Sequence, residues 1–247
     1  MKQRRIIIIG NTGYIGCFLT NYLKTQGIKV EGYNSQTMDL QNIDKIQSVF
    51  SSDVDVAIYC AIDKSKDNFL ERNISNLRNL LLFSNRIKRF VLCSSRAIYD
   101  GFIQYENIPP IPVERLPRPQ RREYSMLKYQ EELECKKADF ELYNLRIFDI
   151  AESIENANII LRWLRQVQKK GVCQNEIISP VMFDVIGKYI VEIINGNLPK
   201  GTYNVCGNKH IHSFKELQKQ GIEIRTEQKP LNKTGKAIIY YDLQEKL

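Results

Sequence analysis

Short apolar runs alternate with amphipathic stretches along most of the 247-residue chain. A continuous apolar run predicts a buried strand of a parallel sheet, and apolar residues that recur every three or four positions predict a helix packed against it. The predicted strands cover residues 6–10, 30–33, 54–60, 89–94, 140–148 and 201–205. The predicted helices cover residues 14–26, 43–50, 73–85, 157–170 and 185–195, together with a helix that contains Tyr124 and Lys128 and ends near Lys137.

This alternation of strands and helices is typical of parallel βαβ units, so we predict an α/β protein with a doubly wound parallel sheet. A proline-rich segment over residues 101–122 predicts a long loop before the helix that carries Tyr124. The polar tail after Gln218 shows no periodic pattern and predicts no element.

The charge balance favours a polyanionic ligand. Lysine and arginine number 36 against 28 aspartate and glutamate residues, which gives a formal net charge of +8. The basic residues are spread along the chain without a recognition motif, so we expect no nucleic acid partner. The longest apolar run, residues 56–62, is too short to span a bilayer, and we expect no membrane association.

The six cysteines indicate a reducing environment. They lie far apart and without metal-ligand spacing, and most of them fall within apolar patterns. We therefore predict buried free thiols, a cytoplasmic protein and no metal site.

A glycine-rich turn joins the first predicted strand to the first predicted helix. Gly10, Gly13 and Gly16 allow a tight turn and let a pyrophosphate approach the N-terminus of the helix, where free N–H groups and the helix dipole favour an anion. Because the turn follows a strand and opens an amphipathic helix, it predicts a Rossmann-type dinucleotide site rather than a bare strand–turn–helix unit. The predicted cofactor contacts in this turn are Gly10, Asn11, Thr12, Gly13, Tyr14, Ile15 and Gly16.

The end of the second predicted strand bears on the choice of nicotinamide cofactor. An acidic residue at this position binds the 2′-hydroxyl of the ribose and selects NAD. Here Asn34 and Ser35 stand at the position, with neither a carboxylate to repel a 2′-phosphate nor an arginine to bind one. We predict NADP(H) as the cofactor and retain NAD as the alternative.

Tyr124 and Lys128 are four residues apart, so on a helix they share one face. A lysine ammonium beside a phenol favours the phenolate and allows the tyrosine to exchange a proton near neutral pH. Ser95 follows the fourth predicted strand. Together with the glycine turn, these three residues predict hydride transfer at a carbonyl or an alcohol.

The order of these motifs resembles the extended short-chain dehydrogenase/reductase family, whose members include nucleotide-sugar epimerases, dehydratases and ketoreductases. The likeness runs from Ile6 to about Leu217 and includes the segments 55–61, 73–80, 94–99, 145–148 and 201–205. It implies that Ser95, with Ser94 as its competitor, hydrogen-bonds the substrate carbonyl oxygen. It also implies that Tyr124 donates a proton to the alkoxide, and that Lys128 favours ionisation of Tyr124 and holds the nicotinamide ribose.

The resemblance implies further contacts with the cofactor. Asp39 and Leu40 match an acidic–hydrophobic pair beside the adenine, and Cys60 and Ala61 lie where the third predicted strand reaches the cofactor. Asp39 is equally suited to cap the helix that begins near Ile43.

The residues beside Ser95 restrict the reaction within this family. Arg96 and Ala97 occupy the positions where 4,6-dehydratases carry an acidic pair, and fucose-type epimerase-reductases carry a cysteine at the second of them. The only histidines, His210 and His212, lie near the C-terminal end. We therefore predict NADPH-dependent reduction of the 4-keto group of a nucleotide-linked 4-keto-6-deoxy sugar, in deoxy-sugar or surface-polysaccharide precursor synthesis. The alternatives are an NAD-dependent nucleotide-sugar 4-epimerase and a non-catalytic dinucleotide-binding protein.

The resemblance also implies a dinucleotide-binding domain and a small C-terminal substrate-binding lobe. Residues 1–148 form the domain, with residues 183–206 returning to it, and residues 149–182 and 207–247 form the lobe. The implied substrate is a nucleotide-diphosphate sugar. Asp184 is expected to cap the helix that follows it. Because family members commonly dimerise through the helices that here contain Asn73 and Tyr124, we expect a homodimer.

Overall fold

A parallel six-stranded sheet forms the centre of the protein. In this computed structural model the described residues are 4–65, 67–99, 123–151, 177–178, 180–207 and 211–212. The sheet contains β1 (Ile6–Ile9), β2 (Glu31–Tyr33), β3 (Val54–Tyr59), β4 (Ile87–Ser95), β5 (Glu141–Ile147) and β9 (Gly201–Val205). Shorter strands in the described residues are β6 (Ile150–Ala151), β7 (Ile177–Ile178), β8 (Val181–Met182) and β10 (Ile211–His212). The helices are α1 (Tyr14–Thr25), α2 (Ile43–Val49), α3 (Phe69–Leu81), α4 (Glu123–Cys135) and α5 (Phe183–Asn195).

The strand order β2-β1-β3-β4-β5-β9 places the start of the chain inside the sheet. All neighbouring strands are parallel, and Ile7 of β1 lies opposite Glu31 of β2 and Ala57 of β3. The chain moves outward from β1 to β2 and then crosses to β3 on the other side. Open α/β sheets bind ligands in the crevice where the strand order reverses in this way. The predicted Rossmann-type, doubly wound parallel sheet is confirmed.

Two apolar layers hold the sheet between the helices. Ile6 and Ile8 face the layer that α1 and α5 complete, whereas Ile7 and Ile9 face the layer that contains α2 and α3. All four side chains are at most 3% exposed, and burying each contributes about 1.5–3 kcal/mol. A strand covered on both faces needs apolar residues at successive positions, which explains the uninterrupted run in the sequence.

Helix α3 begins at Phe69 and not at residue 73 as predicted. Asn73 lies one turn inside the helix and is only 1% exposed. Its side-chain amide donates to Phe69 O at 2.8 Å and to Asp63 O at 2.9 Å, which ties the loop after β3 to the helix. These hydrogen bonds allow a polar residue to be buried, and periodicity alone does not reveal them. Helix α3 also ends earlier than predicted, and Ser84–Arg86 forms a short 3-10 helix.

Neither Asp39 nor Asp184 caps the helix that follows it. Asn42 caps α2, because its side chain accepts a hydrogen bond from Lys45 N at 3.1 Å. The Asp39 carboxylate instead accepts from Gln41 N at 2.9 Å in the preceding turn. Asp184 lies within the first turn of α5, where its negative charge suits the positive end of the helix dipole.

Much of the predicted substrate-binding lobe lies outside the described residues. This also holds for the predicted helix over 157–170, the predicted loop over 101–122 and the tail beyond residue 212. Nearby, β6 pairs in parallel with β8, and β7 pairs antiparallel with β10. The proposed division of the chain into a domain and a lobe stays a prediction. Among the helices that the structure describes, none has the length and apolar character needed to cross a membrane.

Candidate active site

The glycine turn between β1 and α1 packs closely against the end of β3. Gly10 has a φ of +87°, and a Cβ added to it would lie 2.6 Å from Ala61 N. A Cβ added to Gly16 would collide with Gly10 O. Only glycine fits these positions, so the chain can turn tightly at the edge of the sheet.

The N-terminus of α1 has the features of an anion site. Gly13 occupies the N-cap position without a capping side chain, and the first turn holds no acidic residue. Such a terminus offers its first N–H groups and the positive end of the helix dipole to a phosphate. The residues of this turn therefore fit the pyrophosphate part of a dinucleotide.

The segment after β2 lies beside the glycine turn, because the N–H groups of residues 10 and 11 donate to Tyr33 O at 2.7 and 3.2 Å. Asn34 Oδ1 accepts from two backbone N–H groups within the turn 34–37, at 2.9 and 3.2 Å. The oxygen of Asn34 is thus engaged in folding the turn. Ser35 is exposed next to it, so its hydroxyl is one of the polar groups that this turn presents, together with the exposed side chains of Gln36 and Thr37.

A cavity of about 370 Å³ lies at the carboxyl ends of β3, β4 and β5. Its wall includes the three residues predicted to be catalytic, Ser95, Tyr124 and Lys128. It also includes residues predicted to bind the cofactor: Tyr14, Ile15 and Cys60. The remaining lining residues are Ile62, Cys93, Ser94, Ile147, Phe148, Asp149 and Ile150. The fold brings these distant segments together because the carboxyl ends of parallel strands meet at one edge of a sheet.

The other predicted cofactor residues do not line this cavity. Leu40 is 8% exposed and belongs to the apolar layer of Ile7 and Ile9. Ala61 is partly buried against the same layer, and Asp39 is half-buried. Leu40 therefore has a packing role in the core, while the glycine turn and Ser35 lie beyond the carboxyl ends of β1 and β2.

The two serines at the end of β4 have different partners. Ser94 is 3% exposed, and its hydroxyl donates to Glu132 Oε1 at 2.7 Å. Ser95 Oγ accepts a hydrogen bond from Ala97 N at 3.2 Å, which leaves its hydroxyl proton for a ligand. The geometry favours Ser95 over Ser94 as the residue that contacts a substrate.

Tyr124 and Lys128 lie one turn apart on α4 but differ in exposure. Tyr124 is 39% exposed, whereas Lys128 is 2% exposed. The Lys128 Nζ lies 5.8 Å from the centroid of the Tyr124 ring, and it donates to Glu131 Oε2 at 2.8 Å and to Cys93 O at 3.1 Å. Burial is the largest influence and disfavours the ammonium form, but the charge and hydrogen bond of Glu131, together with Tyr124 and Cys93, outweigh it and raise the pKa of Lys128.

A fully buried ion pair lies behind Ser94. Glu132 of α4 and Arg146 of β5 are joined by two hydrogen bonds, from Nε to Oε1 at 3.1 Å and from Nη2 to Oε2 at 2.9 Å. Arg146 Nη1 also donates to Tyr99 OH at 2.7 Å, and Tyr99 OH donates to Asn204 Oδ1 at 2.9 Å. These charge-assisted hydrogen bonds fix α4 to β4, β5 and β9.

A second ion pair borders the cavity. Arg96 Nε lies 2.6 Å from Asp149 Oδ2, and Arg96 Nη2 donates to Oδ1 at 3.2 Å. The sequence places Arg96 and Ala97, and no acidic residue, directly after Ser95. Asp149 nevertheless lines the same cavity, although it is 53 residues from Arg96 in the chain.

Glu131 and Glu132 contact lining residues of the candidate site, Lys128 and Ser94, and the sequence analysis did not identify them. They follow Lys128 by three and four positions, which places all of them on neighbouring parts of one helix face. Their spacing from Lys128 is the feature of the sequence from which their position beside it could have been predicted. The sequence gives no comparable signal for Asp149, because its neighbours in the site come from other strands.

Cys60 and Cys93 meet on the cavity wall with their sulfur atoms 3.3 Å apart. The contact with Cys93 and burial raise the pKa of the Cys60 thiol, so it is neutral near pH 7. The described cysteines are all free: Cys17, Cys60, Cys93, Cys135 and Cys206. Within the described part of the chain, no group of three or more His, Cys, Asp or Glu side chains could hold a metal ion.

A comparison with family models matches residues 6–180 to the NAD dependent epimerase/dehydratase family. No curated protein matches the chain.

Solved structures share the fold at low sequence identity. The enzyme WbmG of Bordetella bronchiseptica, with NAD and UDP, is 14% identical with a TM-score of 0.73, over 97% of this chain and 85% of that one. The dTDP-4-dehydrorhamnose reductase of Bacillus anthracis, solved with NADP, is 18% identical with a TM-score of 0.65. The match covers 91% of this chain and 84% of that one. The UDP-N-acetylglucosamine 4-epimerase of Methanobrevibacter ruminantium, solved with UDP-N-acetylmuramic acid, is 16% identical with a TM-score of 0.69. The match covers 97% of this chain and 90% of that one.

Proposed function

Because the chain belongs to the NAD dependent epimerase/dehydratase family, we propose that it uses NADPH to reduce the 4-keto group of a nucleotide-linked 4-keto-6-deoxy sugar. The observation that carries this proposal is the single cavity that Ser95, Tyr124 and Lys128 share with Tyr14 at the start of α1. A hydroxyl, a phenol and an ammonium ion beside a dinucleotide cradle are the groups that carbonyl reduction requires.

In this proposal the cofactor's pyrophosphate lies at the glycine turn, and its nicotinamide supplies the hydride. Ser95 donates a hydrogen bond to the carbonyl oxygen and stabilises the negative charge that develops there. Tyr124 gives its phenolic proton to the same oxygen. Lys128 provides a fixed positive charge beside Tyr124.

The substrate class is proposed from the related structures together with the charge of the chain. Those proteins were solved with UDP or a UDP-linked sugar, or act on a dTDP-linked sugar. A formal net charge of +8 suits a nucleotide diphosphate. A homodimer and a cytoplasmic location belong to the same proposal.

An NAD-dependent 4-epimerase is the second candidate. The turn 34–37 contains no lysine or arginine to bind a 2′-phosphate, and this favours NAD. An epimerase retains its cofactor through a complete cycle, whereas a reductase releases it oxidised. Cofactor binding and turnover therefore separate the two.

We expect NADPH to bind about tenfold more tightly than NADH, since one hydrogen bond to a charged group contributes about 1.5–3 kcal/mol. No carboxylate follows β2 to repel the 2′-phosphate, and the exposed Ser35 can donate to it. Isothermal titration with both cofactors measures the difference, and Ser35→Ala should remove most of it. Tighter binding of NADH, or NAD carried through purification, would favour the epimerase.

The reaction itself is tested with a nucleotide-linked 4-keto-6-deoxy sugar. We expect stoichiometric oxidation of NADPH and a product heavier by two hydrogens. Deuterated NADPH should label C4 alone, and turnover in deuterium oxide should leave C3 and C5 unlabelled, because proton exchange needs a positioned acid or base. Deuterium at C3 or C5 that disappears in Asp149→Asn would identify Asp149 as such a group and contradict simple reduction.

A further inference from the structure

Glu131 is a carboxylate buried beside the proposed catalytic pair. It is 0% exposed, and its Oε2 accepts a hydrogen bond from Lys128 Nζ at 2.8 Å. Lys128 also donates to Cys93 O on β4 at 3.1 Å. Two of the three N–H donors of the ammonium are therefore held by the protein itself.

The carboxylate of Glu131 is only partly satisfied by hydrogen bonds. Its second oxygen, Oε1, has no hydrogen-bond partner among the described residues, and burial raises the pKa of Glu131 despite the opposing charge of Lys128. A buried carboxylate with one unpaired oxygen destabilises a fold relative to a well-packed apolar residue. Its effect must therefore be sought in what it does to Lys128.

We propose that Glu131 is a positioning residue that fixes Lys128 as an ammonium ion against β4, beside Tyr124. A lysine buried to this degree without a counter-charge loses its proton easily, because a low-dielectric environment disfavours the charged form. With Glu131 present, Lys128 keeps both its charge and its place across the pH range in which a tyrosine can donate a proton. The effect of Glu131 on turnover rests on the proposed function, but its effect on the ionisation of Lys128 does not depend on that function.

Other ionisable groups face this pair from the elements packed around it. They are Tyr59 of β3 and Cys60 directly after it, Cys93 of β4, Tyr124, Glu132 and Cys135 of α4, and Arg146 of β5. Glu132 is matched by Arg146. Burial raises the pKa of Tyr59 and Cys135, and contact with Cys93 together with burial raises that of Cys60, so these groups remain neutral near pH 7. Glu131 is therefore the anion that compensates Lys128.

The ionisation of Lys128 can be followed by NMR in protein labelled with [13Cε]lysine, with the signal assigned by its loss in Lys128→Arg. In the wild-type protein, Lys128 should stay protonated above the ordinary lysine range of about 10.4. In Glu131→Gln it should titrate below that range, because burial then acts without the opposing charge. Glu134→Gln is the matched control, since Glu134 lies on the same helix but pairs with Arg78 at the surface.

A titration of Lys128 in Glu131→Gln at or above the ordinary range would overturn the proposal. If Glu131→Gln does not fold, the titration of Lys128 in the wild-type protein tests the proposal instead. A Lys128 signal that titrates below the ordinary lysine range in the wild-type protein would also overturn the proposal. These measurements need neither cofactor nor substrate, so they remain valid if the proposed reaction is wrong.

Turnover provides a second readout. In Glu131→Gln we expect kcat to fall about one pH unit earlier on the alkaline side, with little change in KM, and Glu131→Asp should restore most of the wild-type profile. A uniform loss of kcat at every pH, without this displacement, would assign Glu131 a merely structural role and contradict the proposal.

Discussion

Replacement of Tyr124 by phenylalanine is expected to lower kcat by about a hundredfold or more, because general acid catalysis contributes a factor of that size. The phenol is 39% exposed and borders the cavity, so the substitution removes a proton donor without opening the core. Steady-state kinetics measures the loss. Titration with NADPH should show nearly unchanged affinity, since the pyrophosphate is proposed to bind at the glycine turn.

Tyr129→Phe is the matched control for this experiment. Tyr129 lies on the same helix, but it does not line the cavity, so its variant should retain turnover. Near-normal turnover of Tyr124→Phe would remove Tyr124 from the mechanism. It would also strengthen the alternative of a dinucleotide-binding protein without catalysis.

Replacement of Glu132 by glutamine is expected to lower the free energy of unfolding by about 3–5 kcal/mol, the usual effect of breaking a buried ion pair from one side. Arg146 would keep its charge at 0% exposure but lose the carboxylate that accepts two of its hydrogen bonds. Ser94 would lose the carboxylate that accepts its hydroxyl proton. Urea denaturation measures the change.

Two further variants make this test specific. Glu134→Gln breaks pairs with Arg78 and Lys137, whose side chains are 62% and 68% exposed, and should change stability by less than about 1 kcal/mol. Glu132→Gln combined with Arg146→Met should be more stable than Glu132→Gln alone, because the buried charge that lost its carboxylate is then removed as well. If the double variant is less stable than the single one, the buried charge of Arg146 is not the cause of the lost stability.

The sequence predicts the sheet well because burial on both faces leaves a clear pattern. β1 is apolar at each of its four positions, and each one packs in one of the two layers. The start of α3 was misplaced because Asn73 looks like a polar boundary in the sequence. In the structure, hydrogen bonds to its own helix and to the loop after β3 allow it to be buried.

The residues of the candidate site could be predicted only in part, because the sequence pattern does not show which polar side chains are buried. Ser95 and the glycine turn follow parallel strands, so a general rule about such sheets predicts that they lie at one edge. The acidic residues of α4 resemble a solvated face in the sequence. Yet Glu131 and Glu132 are fully buried while Glu134 reaches the surface. Which charged face turns inward depends on partners such as Arg146, which the spacing of residues does not specify.

The position of β9 links local unfolding of the sheet to the chemistry of the cavity. β9 is an edge strand of the described sheet and pairs only with β5, and edge strands are among the first elements to open in native-state fluctuations. Asn204 on this strand accepts the hydroxyl of Tyr99, which in turn contacts Arg146. Each detachment of β9 therefore removes one end of the hydrogen-bonded chain that fixes α4. Amide protection along β9 and along α4, which carries Tyr124, should consequently be lost together, because Asn204 of β9 and Glu132 of α4 belong to the same hydrogen-bonded chain.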